Sequence, residues 1–222
     1  MFDLQPLILT FQLALITTAI LLVLGIPLAY GLARWESRWK YVLQTLVSMP
    51  LVLPPTVLGF YLLIAFNPAG RLGRFLESVF GLQLVFSFEG LVVASVIYSL
   101  PFMVNPIQAG FQSLPASLTE ASYTLGKSPL HTFWRVLLPN IKPSILTATV
   151  ISFAHTVGEF GVILMIGGSI PGETRVASIA IYNEVEALNY DTAHQYALIL
   201  FAITFVILLT VYIVNRRFLK AF

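Results

Sequence analysis

The sequence predicts an all-α membrane protein with five transmembrane helices, and three observations carry that reading. Hydrophobic residues make up 58% of the 222-residue chain and charged residues only 10%, against about 25% charged in a soluble protein. Mean hydropathy is +0.88, which leaves too few polar side chains to cover a compact surface in water. The remaining charges punctuate long apolar runs, and the continuous rather than alternating hydrophobicity of those runs argues against a membrane β-barrel. A single membrane domain over residues 1–222 is the economical organisation, because the chain shows neither a repeat period nor a low-complexity linker.

The gaps between charges measure the helices in order. Thirty uncharged residues separate Asp3 from Arg34, Lys40 from Arg71 and Glu89 from Glu120, and twenty-four separate Asp191 from Arg216. A spanning helix needs roughly 20. One more run, Ile141 to Gly167, has Lys142 at its edge and His155 and Glu159 inside. The expected spans are therefore about 7–32, 42–66, 91–110, 143–166 and 196–214. The first apolar run is longer than a signal-peptide core and follows Asp3 without a Lys or Arg, so it is expected to stay in the mature protein.

Orientation follows from the basic residues. Arg34, Arg38, Lys40, Lys127, Arg135, Lys142, Arg216, Arg217 and Lys220 fall on one side, and only Arg71, Arg74 and Arg175 on the other. The richer side is expected to be cytoplasmic, with the amino terminus outside and the carboxyl terminus inside. Trp35 and Trp39 beside the first basic cluster suit an interfacial belt.

Composition also excludes function classes. The net charge of +2 is spread without a basic stripe, which sets nucleic acid aside. With no cysteine there is no disulfide, thiolate metal site or cysteine nucleophile. Three widely separated histidines offer no metal-ligand spacing.

Prolines interrupt the expected spans: Pro27 in the first, Pro50, Pro54 and Pro55 in the second, Pro101 and Pro106 in the third. Each interior proline removes a backbone hydrogen bond. Kinked packing is the plainer interpretation, since proline is commoner in membrane helices than in soluble ones. Helices broken around a polar path, as in transporters, are the sharper one.

The fourth span carries the one buried acid. In HTVGEFG, His155 and Glu159 stand four apart, as on one helical face, beside Gly158 and Gly161 where another backbone can approach. An ionisable residue at membrane depth is costly unless paired or wetted, so Glu159 is expected to face protein or water as a path or gate residue. The alternative is a packing clamp bonded to His155 or to backbone N–H groups. Thr56, Ser152 and Thr156 are candidate hydroxyl contacts in the same path.

Residues 118–139 are too polar to span and too patterned to be a linker. A helical stretch from Thr119 ends at Gly126; Ser128 then offers an N-cap and Pro129 a first helical position for a second short helix stopped by Pro139. Phe133, Val136 and Leu137 lie on its apolar side, with Trp134 adjacent. An interfacial hairpin on lipid headgroups would also fit this pattern.

The spacing, however, resembles the signature loop of ABC importer permeases: E-A-A, three residues, G, nine residues, I, one residue, L-P. Here those positions are Glu120, Ala121, Ser122, Gly126, Val136, Leu138 and Pro139, with Ser in place of the second Ala and Val in place of Ile. The strings PLVLPP at Pro50–Pro55, GEFG at Gly158–Gly161 and IPGETR at Ile170–Arg175 are similar to those of the molybdate, sulfate and tungstate oxyanion branch. The resemblance implies a type I importer permease fold in the bacterial inner membrane and a homodimer. It implies two copies of an ATPase subunit docked on the loop, and an extracytoplasmic oxyanion-binding protein docked near Pro171, Gly172, Glu173 and Arg175. As turn formers, Pro171 and Gly172 would serve equally in a plain solvated loop with Glu173 and Arg175.

The chain has no G-x-x-x-x-G-K-[ST] loop, so no cofactor is expected in it, and ATP and Mg would be bound by the partner ATPase. Molybdate is the expected cargo, with sulfate, thiosulfate or tungstate as alternatives. A proton-coupled secondary transporter using His155 and Glu159 is the rival from another class, and it has no use for the 118–139 loop.

Overall fold

The computed structural model describes residues 2–219, with side chains through residue 213, and every regular element among them is helical. Helix α1, Gln5–Arg34, encloses the first expected span and carries Pro27 without breaking. Helix α5, Phe88–Ser113, encloses the third and likewise runs through Pro101 and Pro106. These two long helices pack against each other more extensively than any other pair among the described residues, and the helix Lys142–Val157 lies against both. One buried cluster joins Leu21, Leu32, Met103, Ile107, Leu137 and Ile141 toward the carboxyl ends of α1 and α5. A second joins Leu9, Leu13, Leu91, Ile163, Ile166 and Ile179 toward the other end.

The second expected span is not one kinked helix. It is α2, Trp39–Ser48, a 3-10 turn at Met49–Leu51, and α3, Pro55–Phe66, and the two pieces meet at 111°. The tandem prolines explain why this site breaks and α1 and α5 do not. A residue before proline is driven out of the helical region, and Pro54, which precedes Pro55, is extended at φ −54° and ψ 134°.

Two helices stand where only loops were expected. Helix α4, Arg71–Phe80, is amphipathic and ends at Gly81; Leu72, Phe75 and Val79 recur along it at helical spacing. The loop segment 116–140 forms α6, Ala116–Thr124, then α7, Pro129–Thr132, a π-type turn over Phe133–Leu137, and α8, Leu138–Asn140. Pro139 therefore does not stop the second arm, which continues to Asn140. The widened π turn ahead of it already interrupts the regular hydrogen-bond ladder that an interior proline would otherwise disrupt.

The fourth expected span is divided as well, into α9, Lys142–Val157, and α10, Gly161–Gly167. Helix α11, Ala177–Glu186, is the second unexpected helix and packs on α12, Tyr190–Leu219. The apolar window of α12 is only 6% buried, as suits a peripheral helix facing lipid. Among the described residues, three helices are long and apolar enough to cross a membrane, and up to five if each bent pair counts as one. Of the basic residues used for orientation, Arg216, Arg217 and Lys220 lie outside the residues whose side chains are described.

Candidate functional site

Two places carry polar chemistry inside this apolar bundle. The first is the loop of α6 and α7. Gly126 adopts φ +73°, a left-handed conformation that a side chain disfavours, and this turns the chain out of α6. Backbone bonds from Gly126 N to Tyr123 O (2.9 Å) and from Lys127 N to Ser122 O (3.1 Å) close that end. Ser128 caps α7 as its sequence position anticipated, its Oγ accepting from His131 N at 3.2 Å.

Between the arms, the buried Ser122 hydroxyl meets Thr132 Oγ1 at 2.8 Å, and Thr132 Oγ1 in turn donates to Ser128 O at 3.0 Å. A hydroxyl has one proton, so Ser122 is the donor of the first bond. The Ser that departs from the family's Ala thus pins the two arms together. Glu120 and Ala121 remain exposed, while Val136, Leu138 and Pro139 are half-buried.

The second place is the break between α9 and α10. Helix α9 ends at Val157 with Gly158 as its C-cap, so His155 and Glu159 do not share a helical face and make no bond to each other. His155 turns to α5: its Nδ1 lies 2.9 Å from Ser99 Oγ, and its ring stacks on Phe102 at 4.0 Å and tilts against Tyr98 at 4.7 Å. Glu159 is 3% exposed. Its carbonyl accepts from Ser178 Oγ at 2.6 Å, but neither carboxylate oxygen has a hydrogen-bond partner among the described residues. The clamp reading of Glu159 as bonded to His155 or to N–H groups is therefore not what the side chain does.

A cleft of about 540 Å³ opens here, lined by Thr56, Tyr98, His155, Gly158, Glu159 and Gly161 among others. Thr56 stands exposed on the first turn of α3 at its rim. Gly161 brings α10 against α3 so closely that a Cβ there would meet Pro55 Cβ at 2.9 Å. Gly158 makes no comparable approach, with only the carbonyls of its own preceding turn nearby. Ser152 and Thr156 do not line the cleft. Both are fully buried behind it, Thr156 Oγ1 bonding Ser99 Oγ at 3.0 Å and donating to Ser152 O at 3.0 Å.

The helix break thus joins residues that sequence reasoning paired with residues it missed. Ser95, Tyr98, Ser99 and Phe102 come from α5, and the signal that could have found them is the Ser95/Ser99 pair at i, i+4 in an otherwise apolar run.

The IPGETR segment forms the turn between α10 and α11. Ile170 O accepts from the N–H groups of Glu173, Thr174 and Arg175 at 3.2, 3.0 and 3.0 Å. The fully buried Thr174 locks it by donating to Gly167 O at 2.7 Å. Pro171 and Glu173 are exposed and Gly172 partly so, but Arg175 is not simply solvated: it pairs with Asp3 at 3.4 Å. Tyr196 Oη donates to Asp3 O at 2.7 Å, so the amino-terminal segment, this turn and α12 meet in one place.

Comparison with known proteins places this architecture. The chain is 48% identical over 217 residues to the molybdenum transport system permease protein ModB of Azotobacter vinelandii, covering 97% of this chain and 95% of that one. It is 36% identical over 196 residues to a probable sulfate transport system permease protein of Marchantia polymorpha, covering 88% of this chain and 68% of that one. Among solved structures it superposes on a bacterial ABC transporter involved in alginate import with a TM-score of 0.76 at 20% identity, covering 97% of this chain and 81% of that one. That likeness shows the type I ABC importer permease fold, as expected from the loop. The model of binding-protein-dependent transport system inner membrane components matches residues 21–220. This chain belongs to that family of multi-pass inner-membrane permeases.

Proposed function

We propose that this chain is the membrane-spanning permease subunit of an ATP-driven importer for molybdate. The observation that carries the reading is the 48% identity to a molybdenum permease, which extends over nearly the whole of both chains. In this reading residues 1–222 form one permease domain with spans near 7–32, 42–66, 91–110, 143–166 and 196–214, amino terminus outside and carboxyl terminus cytoplasmic. Two copies enclose the path. An extracytoplasmic oxyanion-binding protein delivers cargo near Pro171, Gly172, Glu173 and Arg175. Two copies of an ATPase subunit, which bind ATP and Mg, dock on residues 118–139 through Glu120, Ala121, Ser122, Gly126, Val136, Leu138 and Pro139. Nucleotide drives the cycle only through its different affinity for the two states of the permease.

His155, Gly158, Glu159, Gly161 and Thr56 line or border the path at the cleft, and Ser152 and Thr156 back it. A bare carboxylate repels an oxyanion, so Glu159 acts as a gate element rather than a ligand. Its unpartnered oxygens support this: a group without fixed bonds is free to take new ones when the cleft changes shape.

The test is transport in vesicles containing this chain, its ATPase and its binding protein. Molybdate uptake that requires ATP is expected. Uptake that persists on a proton gradient without the ATPase overturns the reading. Sulfate is the second cargo reading, supported by the 36% identical sulfate relative, and competition by excess sulfate or tungstate separates these anions.

A further inference from the structure

Two contacts join α1 to the loop from opposite arms. Arg34, in the last turn of α1, donates from Nη2 to Thr119 Oγ1 of α6 at 2.9 Å. Its guanidinium lies 5.0 Å from the ring centre of Tyr30, one turn back on the same face. Tyr30 meets Phe133, the first residue of the π turn in the second arm, edge-on at 4.8 Å. It meets Phe111 of α5 at 5.2 Å, and Phe111 stacks on Phe133 at 6.0 Å. Both arms therefore converge on one turn of α1, and the Ser122–Thr132 bond ties them to each other. Arg34, Thr119 and Glu120 also line one cleft of about 430 Å³, so the expected docking acid lies beside this junction.

The covalent routes lead to other helices, and the first arm follows α5 across only Leu114 and Pro115. The second arm enters α9 through a 71° bend at Ile141. Ile141 is itself buried in the cluster with Leu21, Leu32 and Leu137, and close-packed side chains pass displacement on.

We infer that the loop's motion reaches α1 through Arg34 and Tyr30, positioning residues that clamp both arms to its end. The inference rests on the proposed reading of the loop as the ATPase socket. Arg34 is exposed, so its bond contributes little stability; what it sets is the direction in which the loop pulls.

The experiment measures ATP hydrolysed and molybdate imported in parallel by the full reconstituted complex. If the unsubstituted complex shows no ATP-dependent molybdate uptake, the functional reading fails and the clamp with it. With that uptake present, Arg34→Ala should still co-purify with the ATPase and melt at an unchanged temperature, yet import at least about fivefold less molybdate per ATP, the scale of a typical coupling term. Arg34→Lys, which can still donate to Thr119, should recover most of the ratio, and Thr119→Ala should repeat the loss. An unchanged ratio in both Arg34→Ala and Thr119→Ala overturns the clamp and leaves the functional reading standing. If Arg34→Ala does not assemble, Thr119→Ala, which removes only the acceptor, decides by the same ratio.

Discussion

The turn at Gly126 and the break at Gly158–Phe160 both interrupt helices and both bury bonded polar side chains, but only the break also buries a carboxylate with no partner among the described residues. At Gly126 the buried hydroxyls of Ser122 and Thr132 are bonded to each other and to backbone. At the break, Glu159 is buried with neither carboxylate oxygen partnered among the described residues, and the buried Ser95 hydroxyl of α5 is without a partner there too. A satisfied polar network rigidifies, while an unsatisfied one stores cost and invites rearrangement. The difference supports the proposed reading of the loop as a stiff lever and of the break as the element that gives way.

The strongest attack on the lever is Gly126→Val. A β-branched residue at φ +73° costs on the order of 1–3 kcal/mol and would swing the two arms apart. ATP-driven uptake should fall by roughly fivefold or more, each 1.4 kcal/mol being a factor of ten. Retained uptake and retained co-purification with the ATPase would show that the turn need not be stiff.

At the break the sign should reverse for stability. Replacing the unpartnered acid by an apolar side chain of similar size, Glu159→Met, should stabilise the detergent-solubilised protein by about 1–3 kcal/mol, read as a higher unfolding temperature. Glu159→Gln should lower uptake at equal expression. If Glu159→Met melts lower and Glu159→Gln transports normally, the acid is a packing element and the contrast collapses.

A paired comparison sharpens the same point at smaller scale. Ser122→Ala removes a bonded hydroxyl and should cost about 0.5–1.5 kcal/mol. Ser95→Ala removes an unbonded one and should change stability by less than about 0.5 kcal/mol. Equal effects in thermal melts would mean that the two sites do not differ in how their polar groups are satisfied. Smallest of all, Arg175→Ala breaks the partly exposed pair with Asp3 and should shift stability by under about 1 kcal/mol; a larger loss would give the IPGETR turn a structural weight that its exposed charges do not explain.

Much of the loop was legible because its determinants are local. The left-handed turn at Gly126 and the caps at Ser128 and Pro129 each follow from residue types within a few positions. Helix α4 was equally local, and its i, i+3, i+4 pattern of Leu72, Phe75, Leu76 and Val79 could have revealed it. The break was only half legible. Gly158 and Gly161 marked the place, but four-residue spacing implied a His155–Glu159 face that exists only if the helix continues. His155 instead has a partner fifty-six residues away on α5, Ser99, and no local rule selects it.

The sequence by itself determined that this chain belongs in lipid, where its helical runs lie, and which loop carries the importer signature, because composition, hydrophobic run length and turn chemistry act over one helix or less. Only the tertiary structure decided that Glu159 is left without a partner and that Arg34 and Tyr30 grip both arms of the loop. Those outcomes depend on side chains that meet from α1, α5, α6 and α9, and packing between distant segments is set by the shape of the whole bundle rather than by spacing along the chain.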